Sequence, residues 1–325
     1  MGGNLKTNPT PALPQPPPIP EHELIRPIGS GSGGTVWLAR NALGTFRAVK
    51  IIRAESSRRG RSFQTELNGV LKFEPVSRLH DGLVDILQVG GSEAAGYFDY
   101  VMELADDVNS GQVIVPDRYV PRTLEYDLKH RGKLPIGECV RNGAAIASAL
   151  GFLHRHDLLH RDIKPGNIIF VKGFPELADI GLVSKISEPA RQIGTIGFIP
   201  PEGAGSAPAD VYSLGKVLYE MSTGRDRNDY PQLPESLTDT AEDRDLVQFN
   251  KIVLKACRAD AGRRYQSAEE LLTALVSFQF SHYDPRKEKA RRRALQLVSA
   301  GGLLLAAVVI TLSVWHLIWL LKHGE

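Results

Sequence analysis

An acid, a cation, an amide and a second acid stand close together in the middle of this chain. The run His160-Arg161-Asp162-Ile163-Lys164-Pro165-Gly166-Asn167 is followed, twelve residues on, by Asp179-Ile180-Gly181. One phosphate-bearing ligand could meet all four polar groups. Phosphoryl transfer is chiefly a matter of positioning and charge, because its transition state is loose and spreads charge over peripheral oxygens. In that chemistry Asp162 would orient an attacking hydroxyl and Lys164 would neutralise the moving phosphate. The Asn167 amide and the Asp179 carboxylate are oxygen donors suited to Mg2+, a hard cation that keeps several waters and bridges phosphates. The plain alternative is a surface turn rich in polar residues, and the octapeptide together with the downstream Asp-Ile-Gly is too specific a pattern to favour it.

Elements that could position such a site lie upstream. Gly29-x-Gly31-x-x-Gly34-x-Val36 lets backbone approach phosphates with no side chain in the way. Alone, this pattern could open a Rossmann unit. No helical pattern comes after it, however: Thr35–Arg40 and Thr45–Arg53 alternate like strands across a turn at Asn41–Gly44, which predicts a hairpin. Residues 62–73 then place Phe63, Leu67, Val70 and Leu71 at helical spacing, with Glu66 on the same face. An inward carboxylate needs a cationic partner, and Lys50 at the end of Ala48-Val49-Lys50 is the natural candidate. Glu74 is the alternative acid, and an ordinary solvated glutamate or an exposed strand lysine is the plain reading of each residue taken alone. From Pro135 onward Val140, Ala144, Ala147, Leu150 and His154 predict a helix that delivers the chain into His160.

With these residues assembled, the sequence resembles the protein kinase family. His160 to Asn167 matches that family's H-R-D-x-x-x-x-N loop at every fixed position. Lys164 is the form found in serine/threonine kinases, and Ile180 replaces the usual Phe of the metal motif. The resemblance implies a two-lobed α+β fold, a small β-rich lobe and a larger helical one, that uses ATP and Mg2+. It implies that Gly29, Gly31, Gly34, Val36, Ala48 and Lys50 face the nucleotide, with Glu66 holding Lys50 against the phosphates. Tyr100–Ala105 would be the hinge between lobes, with Met102 behind adenine and backbone groups of Glu103 and Ala105 facing it. Asn167 and Asp179 would be the metal ligands. Thr195 would brace Asp162 and Lys164, Asp210 would tie down the catalytic loop, and Arg264 would pair with Glu202 in Pro200-Pro201-Glu202. Residues 188–194 carry no hydroxyl, so only Ser184 and Ser187 are candidates for a phosphorylated loop site. Residues 106–123, polar and irregular, yield no role.

Composition bounds the rest. In 325 residues a hydrophobic fraction of 42% is enough for a substantial core, and a net charge of +2 gives no reason to invoke nucleic acid. Cys139 and Cys257 stand far apart without metal-ligand spacing and read as reduced cytosolic thiols. Residues 1–22 form a tail too rich in proline to fold alone, seven of the fourteen from Thr7 to Pro20. Its Pro11-x-x-Pro14 could dock an aromatic groove, and no secretory signal opens it.

The kinase-like domain is expected over 23–278 and a basic linker over 279–293, with six Lys or Arg between 286 and 293. Residues 294–321 then contain no Asp, Glu, Lys or Arg. As a helix that stretch would reach about 42 Å, more than the roughly 30 Å of a bilayer core. It predicts one C-terminal transmembrane helix, tipped by Trp315 and Trp319, with 322–325 outside and the basic side, hence the kinase domain, in the cytosol at the inner membrane. Gly302 and Ala306 could pack two such helices into a homodimer. The expected function is an ATP- and Mg2+-dependent serine/threonine kinase acting on protein substrates, itself included. The alternatives are a pseudokinase scaffold, a small-molecule phosphotransferase, and an added role in membrane assembly for the proline tail.

Overall fold

The computed structural model describes residues 16–31, 34–54, 63–92, 94, 96–186, 194–235, 237–238 and 240–281. Described structure up to Phe278 forms one unit, and Gln279–Glu325 a second. The first unit begins with an antiparallel sheet of β1 (His22–Gly31), β2 (Gly34–Asn41), β3 (Phe46–Arg53), β4 (Ile86–Ser92) and β5 (Tyr97–Met102), in the order β1-β2-β3-β5-β4. The expected hairpin is β2–β3, with Val36 opposite Lys50 and Leu38 opposite Ala48. β3 is buried on both faces. Its odd-numbered Val49 and Ile51 join Ile19, Ala39 and Val101 in a small outer core, whereas Ala48 and Ile52 join the main core. Strand alternation therefore sends Lys50, between Ala48 and Ile52, to the inner face.

Helix α1 (Phe63–Ser77) packs beneath the sheet and buries Phe63, Glu66, Val70 and Phe73. Beyond the hinge come α2 (Leu124–Arg131) and α3 (Ile136–Arg155), the helix expected after Pro135. Two short ladders come next: β6 (Leu158–Leu159) with β9 (Ser184–Lys185), and β7 (Ile168–Val171) with β8 (Phe174–Leu177). Helices α4 (Ala207–Thr223), α5 (Ala241–Ala256) and α6 (Ala268–Ser281) complete the larger, helical lobe. The helix starts are chemically specified. Thr123, Ser206 and Thr240 each cap a helix by accepting the backbone N–H of Tyr126, Ala209 and Asp243. α4 ends at Gly224, whose φ of 70° is the left-handed stop that glycine adopts without strain.

Among the described residues no helix is long and apolar enough to cross a membrane. The stretch expected to do so, 294–321, lies outside the described residues, as do the basic run 286–293, Ser187 and Pro11-x-x-Pro14.

Candidate active site

The catalytic-loop run leaves β6, makes a single 3-10 turn at Pro165–Asn167 and enters β7. Its shape is fixed from below by Asp210 on α4. One carboxylate oxygen accepts the backbone N–H of Arg161 at 2.9 Å, the other that of His160 at 2.9 Å and the His154 ring at 3.0 Å. Burial alone would raise the Asp210 carboxyl, but the hydrogen bonds from His154 and Arg161, with the nearby imidazoles, outweigh it and hold the group below its ordinary value. His160 is fully buried, and burial keeps its ring neutral by lowering its pKa. Arg161 adopts φ 68°, a left-handed conformation costly for a non-glycine residue. The two N–H bonds to Asp210 hold it there.

That bend presents Asp162, only 3% exposed. Its Oδ1 accepts the Thr195 hydroxyl at 2.7 Å, and its Oδ2 accepts the Lys164 ammonium at 3.0 Å and the Asn167 amide at 3.1 Å. Lys164 also donates to the Thr195 hydroxyl at 3.0 Å. Four residues spread from 162 to 195 thus form one closed network. The Asn167 Nδ2 bonds the Asp162 carbonyl as well, at 2.8 Å, so both its protons point into the loop and its amide oxygen is the end turned to a ligand.

Across the cleft, Lys50 makes its direct ion pair with Asp179. The sequence points to Glu66 as the acid beside Lys50, and Asp179 shares that role. Glu66 is indeed buried, 4% exposed, and its charge acts on the lysine, but its carboxylate lies alongside Gly181. Burial would lower the Lys50 pKa, yet Asp179, with Tyr100 and Glu66 behind it, holds the ammonium above its ordinary range. Asp179 has φ 56° and ψ 66°, a second left-handed residue at the site, and begins a 3-10 turn over Ile180–Leu182. Helix α1 lies hard against that turn. A Cβ on Gly69 would sit 3.0 Å from the carbonyl oxygen of Val183, 3.1 Å from that of Ile180 and 3.2 Å from that of Gly181.

The two halves share a cleft of about 520 Å3 lined by Gly29, Gly34, Val36, Ala48, Lys50, Met102, Glu103, Ala105, Lys164, Asn167 and Asp179. Of the residues singled out from sequence, Glu66, Asp162 and Thr195 are not on its wall. Asp162 and Thr195 touch it through Lys164, and Glu66 acts from behind Lys50. At Gly34, φ is 138° and a side chain would strike the Ile51 carbonyl, so glycine is required by both backbone and neighbour.

Sequence reasoning missed Tyr119, Thr123 and Glu125, which also line the cleft, and gave Tyr100 no role beyond its place in the hinge segment. Tyr100 is buried with its ring 5.9 Å from the Lys50 ammonium, and burial pushes its phenol up to about 12. Thr123 could have been found as a helix cap before Leu124-Glu125; Tyr119 had no sequence signal. Behind the hinge, burial and the adjacent Glu103 push the Glu176 carboxyl up to about 10, so it carries its proton at neutral pH. Further structural pairs agree with expectation: Arg264 grips Glu202 through both guanidinium nitrogens, one at 2.9 Å. Ser184 does not fit a loop phosphosite. It is 7% exposed, paired into the β6–β9 ladder.

A small β-rich lobe, a helical lobe, and a lysine–aspartate pair facing a braced aspartate across the cleft between them define a phosphotransferase architecture. The chain belongs to the protein kinase domain family, which it matches over residues 22–287. It is 28% identical over 279 residues to a probable serine/threonine-protein kinase of Clostridium perfringens, covering 77% of this chain and 37% of that protein. Over 286 residues it is 26% identical to the serine/threonine-protein kinase PknA of Corynebacterium glutamicum, covering 80% of this chain and 56% of the relative. PknB of Mycobacterium tuberculosis is 29% identical over 286 residues, covering 78% of this chain and 42% of its own. The chain thus spans between 37% and 56% of the length of these curated relatives.

Proposed function

We propose that this chain is an ATP- and Mg2+-dependent protein serine/threonine kinase, held at a membrane by residues 294–321. The observation that carries the reading is the network in which Thr195, Lys164 and Asn167 all bond the Asp162 carboxylate. A carboxylate held in place by these neighbours at the mouth of a phosphate cleft is placed to orient an incoming hydroxyl and take its proton. As the acceptor oxygen bonds to the γ-phosphorus, the bond from phosphorus to the β,γ-bridging oxygen breaks, ADP leaves and the hydroxyl proton passes to Asp162. Lys164, beside Asp162, meets the charge on the transferring group. Lys50 grips the phosphates of the nucleotide, and the hinge backbone of Glu103 and Ala105 takes the adenine edge.

The donor set fits Mg2+. The Asn167 amide oxygen and the Asp179 carboxylate would hold it, and bound there it neutralises phosphate charge. Among the described residues no cluster of three or more His, Cys, Asp or Glu is gathered for a metal. Two side-chain oxygens completed by phosphates and water suit Mg2+ rather than a cation that demands an all-protein cage.

The anchor rests on the charge-free stretch 294–321 preceded by six basic residues, which also favours a cytosolic kinase domain. Helix pairing through Gly302 and Ala306 would raise the local concentration of kinase for trans-phosphorylation.

The test is incubation of the purified protein with γ-labelled ATP, Mg2+ and generic protein substrates, followed by phosphoamino-acid analysis. Label on serine or threonine, lost with a chelator and with Asp162→Asn, is expected. Nucleotide binding without transfer would instead identify a pseudokinase. Protease added to sealed cells should spare a tag at residue 1 and remove one after Glu325; digestion of the first would overturn the topology.

A further inference from the structure

The segment 106–123, unreadable in sequence, is a built structure. Asp107 organises it: one carboxylate oxygen accepts the N–H groups of Asn109 and Ser110, both at 2.9 Å, and the Ser110 hydroxyl at 2.8 Å. The other accepts the Val120 N–H at 2.8 Å. Burial opposes ionisation of Asp107, but these hydrogen bonds prevail and bring its pKa down to about 2. From the other lobe, Arg26 on β1 donates to the Pro116 carbonyl at 2.7 Å and to the Tyr119 carbonyl. Both anchors converge on Tyr119. Its ring is 1% exposed and forms part of the cleft wall, and its hydroxyl donates to the Ala105 carbonyl at 3.0 Å. Burial raises the phenol above its ordinary range, so the hydroxyl remains a donor at neutral pH.

We propose that Tyr119 sets the base selectivity of the cleft, favouring adenine over guanine, by occupying the Ala105 carbonyl. This rests on the kinase reading above, in which the base meets the backbone of Glu103 and Ala105. Adenine offers that backbone a donor, the 6-amino group, and an acceptor, N1. The Glu103 carbonyl and the Ala105 N–H answer them, and neither depends on the Ala105 carbonyl. Guanine presents the reverse order. Its O6 accepts, and its N1–H and 2-amino group donate. It can use the Ala105 N–H for O6 only if the Ala105 carbonyl is at hand for N1–H. Tyr119 already takes one of that oxygen's two lone pairs and stands on the cleft side of it. A guanine nucleotide would have to share it in poorer geometry, or leave a buried phenol hydroxyl without a partner. Sites that bury polar groups discriminate in this way against ligands that leave them unpaired.

Tyr119→Phe keeps the ring and frees the carbonyl. With the 325-residue chain in detergent, kcat/KM is measured for ATP, GTP and ITP, the last having O6 and N1–H but no 2-amino group. Nucleotide binding is followed separately by thermal shift. The wild type is expected to prefer ATP over both others. In Tyr119→Phe the ATP-to-GTP and ATP-to-ITP ratios should both fall by about 3- to 10-fold, the worth of one neutral hydrogen bond. A loss of rate shared equally by all three nucleotides would mark Tyr119 as structural and overturn the proposal. A gain for GTP alone overturns it too, because room for the 2-amino group would then account for the change. So does a wild type that uses GTP as well as ATP, a result that needs no variant. If the wild type binds no nucleoside triphosphate at all, the kinase reading itself falls; if it binds ATP and the ratios stay fixed, only the role of Tyr119 does.

Discussion

Replacing Thr195 by valine removes one hydroxyl and almost no volume. That hydroxyl joins two groups of the site, donating to Asp162 Oδ1 at 2.7 Å and accepting from Lys164 at 3.0 Å. Without it, Asp162 is still held on Oδ2 by Lys164 and Asn167, but Oδ1 loses the Thr195 hydroxyl and the carboxylate is held less firmly in its plane. A hydrogen bond to a charged group contributes about 1.5–3 kcal/mol, so kcat should fall about 10- to 150-fold if the whole of it is felt in the transition state. Lys50 and the hinge, which would bind the nucleotide, are untouched. KM for ATP should therefore hardly move, the pattern of an interaction made only in the transition state. The assay is steady-state transfer to a saturating peptide, with Thr195→Ser alongside to keep the hydroxyl and drop the methyl. The serine variant should recover most of the rate. Wild-type turnover in Thr195→Val, or an equal loss in both variants, would refute the reasoning.

Asp162→Asn should lower kcat by about 10²- to 10⁴-fold while leaving the affinity for a fluorescent nucleotide nearly intact. Asp210→Asn sets an amide NH2 against at least one of three buried donors and should cost about 1–3 kcal/mol in urea unfolding at pH 7. Because the native Asp210 carboxyl lies below its ordinary 3.8, its stabilisation is complete above that pH and is lost as pH falls further, so the gap between wild type and variant should close only under acid conditions. Gly34→Ala forces a side chain into the Ile51 carbonyl at φ 138° and should destabilise by at least about 1–3 kcal/mol, measured by the same unfolding. Ser184→Ala should leave activity essentially intact, and mass spectrometry should find no phosphate on Ser184, because the residue is buried in a strand pair.

The part of the site legible in the sequence is local. The 160–167 run works within one bend, and its spacing alone places Asp162, Lys164 and Asn167 together. The β2–β3 hairpin and α3 can be read from periodicity, because each carries a pattern longer than two turns or four strand residues. The two-residue strands β6 and β9 carry no pattern at all and exist through tertiary pairing. Asp179 as a partner of Lys50 escapes sequence reasoning for a related cause. Helical spacing correctly turns Glu66 inward, but it says nothing of where a residue 129 positions beyond the lysine will come to rest. The wall at 106–123 is hidden because it is held by one aspartate bonding backbone N–H groups and by Arg26, whose bond to Pro116 reaches across 90 residues. Neither device has a period.

Gly69 brings helix α1 against the Asp179 turn at main-chain distance, with three carbonyl oxygens where a side chain would be. Two side chains in contact can give way by rotating to another rotamer, and part of a displacement is absorbed there. Main chain against main chain has no such cushion. Any travel of α1 must be passed undiminished to the turn that carries Asp179, or open a gap beside it. Helix and turn mesh like two gear teeth without backlash. A partner that pushes on the exposed side of α1, far from any nucleotide, would therefore have a rigid lever on the position of the Asp179 carboxylate.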